Sequence, residues 1–175
     1  NGHISAASNS ALKLATGEFC ILLDHDDELT EDALFWVANE MNDHPNVQMI
    51  YSDEDVIDVS GRRSDPKFKP DLSRDLLYSL NMVTHLSAYK TELLRELGGF
   101  RIGMEGSQDY DLALRVVERT PDALISHIPR ILYHWRSLPT SVAGNTGAKP
   151  YAFEKAREAI ASHFERVGTD AEVVE

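Results

Sequence analysis

The sequence predicts an α/β fold in which a mixed, mostly parallel sheet is flanked by helices. Helical and strand-like hydrophobic patterns alternate along its first half, which is typical of parallel strands joined by helical crossovers. Two of the predicted strands run directly into acidic residues, and in such sheets ligands bind at the carboxyl ends of the strands. The chain has 175 residues, 42% of them apolar and 26% charged, so a single domain over residues 1–175 can bury a full core.

Four elements are predicted in the first half, two helices that alternate with two strands. They are a helix over residues 4–16, a strand over 19–24, a helix that follows Thr30 with a core face of Leu34, Val37 and Met41, and a strand over 47–51. The helices are assigned from apolar residues three and four positions apart and from the capping preferences of Thr30 and Gly17. The strands are assigned from short, continuous apolar runs.

The second half begins with an excursion over residues 58–75 that is rich in glycine, proline and charge. After it come a predicted strand over 83–89, helices over 91–97 and 110–119, two short strands over 125–128 and 131–134, and a helix over 150–167. A glycine-containing loop leads into the helix at 110–119, so Asp109 lies at the start of that helix.

Charge and cysteine content limit the class of function. Seventeen basic and 29 acidic residues give a net charge of −12, which argues against nucleic acid or an anionic membrane surface as the general partner and favours cations. The single cysteine, Cys20, provides neither a disulfide framework nor a cysteine metal site, and it is compatible with the cytoplasm. The sequence contains no apolar run of the roughly 20 residues that a membrane helix needs.

The run Asp24-His25-Asp26-Asp27 follows the first predicted strand directly. Clustered carboxylates repel one another unless a cation or hydrogen bonds compensate, and Mg²⁺ or Mn²⁺ would do so. An EF-hand is excluded, because Leu29 stands where that motif needs glycine and Phe35 where it needs glutamate. The alternative is a solvated loop with Asp27 or Thr30 capping the next helix. A divalent ion held by a few carboxylates typically binds the phosphates of a nucleotide, so the pattern favours a diphosphate ligand.

Several short stretches follow one another in a recognisable order. They are NGHISAASN at 1–9, ATGEF at 15–19, LDHDDEL at 23–29, SDED at 52–55, GGF at 98–100, EGSQDYDL at 105–112 and YHWR at 133–136. Taken together, they resemble glycosyltransferase family 2 of the GT-A fold, over nearly the whole chain to about residue 145. Within that family they are most similar to the rhamnosyltransferase-like enzymes of bacterial O-antigen and surface polysaccharide synthesis.

The resemblance implies inverting transfer of a sugar from a nucleotide-diphosphate donor to a hydroxyl of a glycan or lipid-linked acceptor, with Mn²⁺ or Mg²⁺ as cofactor. Asp24, Asp26 and Asp27 match the family's Asp-x-Asp region, which holds the metal and reaches the donor diphosphate and ribose. Asp109 matches the acid that serves as general base. Its alternative role is to cap the helix that follows.

Other candidate residues have both a functional and a structural interpretation. His134 is a candidate third metal ligand, although a lone histidine is more often structural, and Arg136 is a candidate contact for the donor diphosphate. Gln108 and Trp135 are placed on the acceptor side, where Trp135 either stacks on a sugar or packs. Asp53 is also a candidate for the acceptor side, but the favoured interpretation is that it lies at a solvated strand end. The polar residues 137–141 are predicted to close over a ligand.

The resemblance is incomplete at the front of the sequence. The family usually opens with a strand and a turn that bind the nucleotide base, so we expect this chain to be the central and C-terminal part of a GT-A domain that lacks those strands. Without those strands, one edge of the sheet would be exposed or covered by a second copy of the chain in a homo-oligomer. A part of the protein outside this sequence could also associate it with the inner face of a membrane. Two rival functions are a metal-dependent nuclease or phosphohydrolase that uses Asp26, Asp53 and Asp109, and a non-catalytic carbohydrate-binding module.

Overall fold

The computed structural model describes residues 3–137 and 150–174, and it confirms the mixed α/β class. The helices are α1 (His3–Leu14), α2 (Ala33–Asp43), α3 (Arg74–Ser79), α4 (Thr91–Glu96), α5 (Gln108–Arg119) and α6 (Pro150–Val167). The strands are β1 (Phe19–Leu22), β2 (Glu28–Leu29), β3 (Met49–Ile57), β4 (Arg63–Lys67), β5 (Ser87–Lys90) and β6 (Ile125–Arg136). No helix within this described part of the chain combines the length and the apolar character needed to cross a bilayer.

The strands form one sheet in the order β1-β5-β3-β6-β2, with β4 paired to β3. Among the strands of residues 3–137 and 150–174, only β3 and β6 pair in parallel, and the other pairs are antiparallel. The sheet therefore has fewer parallel strand pairs than the sequence predicts. The reason is the excursion between β3 and β5, which contains β4 and α3 and returns the chain so that β5 runs against both of its neighbours.

Strand β3 is longer than predicted and changes the interpretation of the second acidic run. It continues through residues 52–55 to Ile57, and β4 and β6 flank this part on its two edges. Asp53, Glu54 and Asp55 are only 2–3% exposed, so the solvated strand end expected for this run is wrong. Each buried carboxylate instead has hydrogen-bond partners in the chain, as buried charge requires.

A hydrophobic cluster lies on each face of the sheet. One contains residues of β3, β5, α4 and α5 together with Ile160 of α6, and the other packs Ala33 and Val37 of α2 against Ile50 and Leu132. The predicted apolar face of the helix at 110–119 is confirmed, since its apolar residues are almost fully buried. Leu34 was predicted to be buried but is 63% exposed, because α2 begins at Ala33 and turns Ala33 and Val37 to the sheet.

A turn at Gly98 and Gly99 connects α4 to the loop that precedes α5. Asn9 of α1 fastens this turn: its side-chain amide donates to the Phe100 carbonyl at 2.8 Å, and its Oδ1 accepts from the Phe100 N–H at 2.8 Å. Arg115 of α5 donates to the carbonyls of Leu97 and Gly99 on the other side. The turn therefore joins α1, α4 and α5.

The two glycines of this turn allow a matched test of how closely Asn9 approaches it. Both have a positive φ, +77° for Gly98 and +72° for Gly99, so alanine costs about 1–2 kcal/mol of strain at either position. A Cβ on Gly99 would also clash with Asn9 Oδ1, whereas a Cβ on Gly98 meets nothing within 4 Å. We expect Gly99→Ala to lower the free energy of unfolding by at least about 1 kcal/mol more than Gly98→Ala in denaturant titrations. Equal losses would show that Asn9 moves aside freely.

Candidate active site

A large cleft of about 2080 Å³ opens at the carboxyl end of β1. Its walls come from α1, the loop after β1, the loop between α3 and β5, the start of α5 and the inner side of α6. The polar residues that line it include Asp24, Asp26, Glu54, Lys67, Asn81, Thr84, His85, Gln108 and Asp109. Acidic groups from separate parts of the chain thus meet in one solvent-accessible space.

The acidic loop after β1 is held in place by residues of β6. The hydroxyl of Tyr133 donates to Asp27 Oδ2 at 2.5 Å and accepts from the Asp24 N–H at 3.2 Å. The Arg136 N–H donates to Asp27 Oδ1 at 2.8 Å. Burial and the hydrogen bond to Asp27 raise the pKa of Tyr133, so its hydroxyl remains a proton donor. Asp27 is therefore fixed at both oxygens.

His85 joins the acidic loop from the opposite wall of the cleft. One potential ligand atom from each of Asp24, Asp27 and His85 lies within 4.8 Å of the others. The His85 ring stacks on Tyr133 with centroids 4.6 Å apart, and its Nδ1 lies 3.5 Å from Glu54 Oε2. Two carboxylates and an imidazole suit a divalent transition ion, and this mixed set fits Mn²⁺ better than Mg²⁺.

Electrostatics at Asp24 also favour a cation. Partial removal from water raises the pKa of Asp24 above its usual range, and the charges of Asp27, Asp109 and Asp26 raise it further, while His85 opposes the shift. The carboxylates therefore destabilise one another when all are ionised. A bound divalent ion would relieve this repulsion, which is the compensation expected from the sequence.

Asp109 lies in the first turn of α5 and faces the same cleft. Its Oδ2 accepts hydrogen bonds from Asn81 Nδ2 at 2.8 Å and from Thr84 Oγ1 at 3.0 Å, while Oδ1 has no partner among the residues that the structure describes. The N-cap residue of α5 is Ser107, so Asp109 is not the helix cap. The carboxylate is oriented by one oxygen and leaves the other available to a ligand.

Three further predicted residues also line the cleft. Asp26 lies outside the group formed by Asp24, Asp27 and His85, and its Oδ1 is 3.7 Å from Nδ1 of the exposed His25. Gln108 uses its Oε1 to accept from the Gly106 N–H at 2.8 Å. Trp135 lies near His85 and beneath Lys67, whose ammonium is 4.8 Å from the indole centroid.

The structure places His134, Arg136 and Asp53 elsewhere than predicted. Side chains alternate along β6, so Tyr133 faces the acidic loop, and His134 faces away and binds Asp55 at 2.5 Å. The Arg136 guanidinium contacts the Asp26 carbonyl and the Glu28 carboxylate, and thus braces the acidic loop. Asp53 binds the Lys69 N–H and His127 and does not line the cleft. Of residues 137–141, all after Ser137 lie outside the described part of the chain.

Sequence analysis missed the residues that position the predicted acids, namely Asn81, Thr84, His85, Tyr133 and Glu54. Three of them belong to a loop over residues 80–86, most of which was included in a predicted strand over 83–89. The strand begins only at Ser87. The polar residues Thr84 and His85 within the predicted strand, and Asn81 just before it, were the signal that could have identified the loop.

Comparison with known proteins identifies relatives. Residues 1–98 match the family described as Glycosyl transferase family 2. The chain is 50% identical over 166 residues to the uncharacterized protein y4gI of Sinorhizobium fredii, covering 95% of this chain and 18% of that protein. It is 37% identical over 172 residues to the O-antigen biosynthesis protein RfbC of Myxococcus xanthus, covering 98% of this chain and 13% of RfbC. The chain thus spans less than a fifth of the length of these relatives.

Solved structures share the fold at low sequence identity. TarS 1–349 of S. aureus, in complex with UDP-GlcNAc, aligns with a TM-score of 0.69 and 20% identity over 98% of this chain and 49% of that 1–349 chain. Glucosyl-3-phosphoglycerate synthase of Mycobacterium tuberculosis, in complex with Mn²⁺, UDP-glucose and phosphoglyceric acid, aligns with a TM-score of 0.59 and 19% identity over 96% of this chain and 56% of that enzyme. These likenesses establish the fold.

The role of Tyr133 in fixing Asp24 and Asp27 can be measured directly. Tyr133→Phe keeps the ring that stacks on His85 but removes the hydroxyl that binds both acidic residues. Since such supporting contacts typically contribute about 10–100-fold to metal affinity, we expect Mn²⁺ binding to weaken by at least about tenfold in calorimetry. Tyr51→Phe, which removes a hydroxyl bonded to the Pro70 carbonyl, is the control. Equal Mn²⁺ affinity in the two variants would exclude this role for Tyr133.

Proposed function

Because the chain belongs to glycosyltransferase family 2, we propose that it catalyses metal-assisted, inverting transfer of a sugar from a nucleotide-diphosphate sugar to an acceptor hydroxyl. The acceptor would be a glycan or a lipid-linked saccharide, in the cytoplasmic synthesis of a cell-surface polysaccharide. Support for this pathway comes from RfbC, whose name assigns it to O-antigen biosynthesis. Support for the donor class comes from the nucleotide sugars bound in the TarS and glucosyl-3-phosphoglycerate synthase structures.

The observation that carries the proposal is the position of Asp109 in the same cleft as Asp24 and His85, which form a possible metal-binding group with Asp27. An inverting transfer is a single displacement and needs one carboxylate that accepts a proton and a separate positive site for the leaving diphosphate. Asp109 is held by Asn81 and Thr84 at one oxygen, and its charge is close enough to raise the pKa of Asp24. The proton acceptor and the site for the leaving diphosphate are therefore assigned to neighbouring side chains.

The chemistry follows from these positions. The acceptor hydroxyl would approach Oδ1 of Asp109, which takes its proton as the hydroxyl oxygen attacks the anomeric carbon and the bond from that carbon to the diphosphate breaks. Asp24, Asp27 and His85 would hold a divalent ion, which when bound offsets the charge of the diphosphate. Asn81 and Thr84 keep the Asp109 carboxylate oriented, and the N-terminal end of α5 stabilises its negative charge before the proton arrives.

The remaining cleft residues suit the two substrates. Trp135 and Gln108 line the cleft with Asp109, and an indole face and an amide are typical contacts for a sugar ring and its hydroxyls. We assign them to the acceptor side. Asp26 lines the cleft beside Asp24 and is assigned to the donor ribose or diphosphate.

The rival functions fit the geometry less well. A two-metal phosphohydrolase built on Asp26, Asp53 and Asp109 would need Asp53 in the cleft, and this residue is buried against His127 and the Lys69 N–H. A binding module without catalysis has no need for a carboxylate that is oriented at one oxygen and open at the other. Incubation of the full natural protein with a panel of nucleotide sugars, Mn²⁺ and saccharide acceptors distinguishes sugar transfer from both rival functions, and a Mn²⁺ titration distinguishes the metal-dependent hydrolase from the binding module.

Asp109→Asn tests the role of Asp109 in the full natural protein. Asparagine keeps the size of the side chain but cannot accept the proton, so we expect turnover to fall by about 10²–10⁴. Donor affinity, which depends on the acidic loop, should stay within about threefold of the wild-type value. The measurement is turnover and donor affinity on the same variant.

The matched control is Asp75→Asn, because Asp75 is an exposed acid in the first turn of α3, as Asp109 is an acid in the first turn of α5. We expect wild-type turnover from it. If Asp109→Asn keeps wild-type turnover like this control, Asp109 has only a structural role at the start of α5. If Asp109→Asn loses donor binding together with turnover, Asp109 belongs to the donor site.

A further inference from the structure

A buried lysine lies directly beneath the loop at residues 80–86 that carries Asn81, Thr84 and His85. The side chain of Lys69 is only 7% exposed. Its ammonium donates to the carbonyls of Thr84 at 2.9 Å and His85 at 2.6 Å. Lys69 thus binds the backbone of two consecutive residues. The side chain of Thr84 binds Asp109, and that of His85 lies beside Asp24 and Asp27.

Glu54 completes this arrangement from β3. One of its oxygens accepts from the His85 N–H and lies 3.5 Å from the Lys69 ammonium, and the other accepts from Lys67 at 2.8 Å. The Glu54 carboxylate therefore lies between the ammonium groups of Lys67 and Lys69, and Lys69 and Glu54 together bind the loop at three backbone groups.

The loop connects the two functional groups of the cleft. Thr84 donates its hydroxyl to Asp109, and the neighbouring His85 places its ring beside Asp24 and Asp27. Residues 80–85 precede β5, and the pairing with β3 reaches this segment at Leu86, whose carbonyl accepts from the Ser52 N–H. The bonds from Lys69 and Glu54 are the charged contacts to this backbone that the structure shows.

We propose that Lys69 and Glu54 are positioning residues that set the geometry of Asp109 and of His85 together, through the backbone of residues 84 and 85. This inference rests on the proposed function for the part that concerns Asp109. The part that concerns His85 can be measured without any sugar transfer. Neither residue is assigned a substrate contact in this scheme: Lys69 acts through the two loop carbonyls, and Glu54 acts on His85 through its N–H and through the contact of Glu54 Oε2 with His85 Nδ1 at 3.5 Å.

Lys69→Met is the main test, because methionine keeps much of the length of the side chain and removes its charge and donors. We expect turnover in the full natural protein to fall by at least about tenfold, and Mn²⁺ affinity to weaken by a similar factor. The ring resonances of His85 in ¹H–¹³C NMR spectra of the metal-free protein should also move. These readouts follow the loop and not global stability, which is measured separately by thermal unfolding.

Lys67→Met is the matched control. Lys67 binds the same Glu54 carboxylate at 2.8 Å and is two residues away, but it is half-exposed and donates to neither loop carbonyl. We expect the His85 resonances to stay in place and Mn²⁺ affinity to change by less than about threefold. If Lys67→Met matches Lys69→Met in these readouts, charge balance at Glu54 accounts for the effect, and the proposal is overturned.

A double variant keeps the test valid if Lys69→Met folds poorly with Glu54 left unpaired. Lys69→Met combined with Glu54→Gln buries no unbalanced charge from this pair. We expect this protein to fold and still to show displaced His85 resonances and weak Mn²⁺ binding. Recovery of wild-type His85 resonances and Mn²⁺ affinity in the double variant would overturn the proposal.

A mutant cycle with Asp109→Asn separates this inference from the proposed function. If Lys69 acts on turnover through Thr84 and Asp109, Lys69→Met should have a much smaller effect in the Asp109→Asn background than in the wild type. If the effects of the two substitutions on turnover are additive, Lys69 does not act through Asp109. If the wild-type protein transfers no sugar from any donor, the proposed function fails, and the His85 resonances and Mn²⁺ affinity still decide the role of Lys69.

Discussion

The candidate site depends on the antiparallel register between β1 and β5. Phe19 pairs with Lys90 and Leu22 with Ser87, so the same register extended by two residues places Asp24 opposite His85. The loop that leaves β1 and the loop that enters β5 are therefore side by side at one end of the sheet. This register brings the acidic loop together with residues 80–86, and the latter loop carries the partners of Asp109.

The same constraint explains which parts of the site could be predicted from the sequence. Asp24, Asp27 and Asp109 stand in local patterns, an acidic run after an apolar strand and an acid at the start of an amphipathic helix. His85 and Lys69 matter only because of the excursion between β3 and β5, which reverses the direction of β5. No local pattern encodes that reversal, and a mostly parallel sheet would separate Asp24 from His85. The helices other than α3 were predictable in position, although a helical period alone could not show that Leu34 faces solvent.

The misplacement of His134 has a related cause. Tyr133, His134 and Trp135 were correctly assigned to the end of a strand region, but strand alternation divides them between two sides of the sheet. A motif of consecutive residues indicates that a strand end is important, and the register decides which of its side chains reaches the site. Here Tyr133 binds Asp24 and Asp27, and His134 binds Asp55.

The two acidic runs of the chain show why only one of them calls for an external cation. In the run at 52–55, the structure supplies a basic partner to each buried acid: His127 to Asp53, Lys67 and Lys69 to Glu54, and Arg63 and His134 to Asp55. In the run at 24–27, Asp24 and Asp27 have no lysine or arginine side chain as an ion-pair partner within residues 3–137 and 150–174. Their neighbours are uncharged donors, the imidazole of His85 and other carboxylates. Each run contains three acids, so the distribution of basic side chains, and not the number of acids, distinguishes the two runs and favours the loop after β1 as the site of the divalent ion in the proposed function.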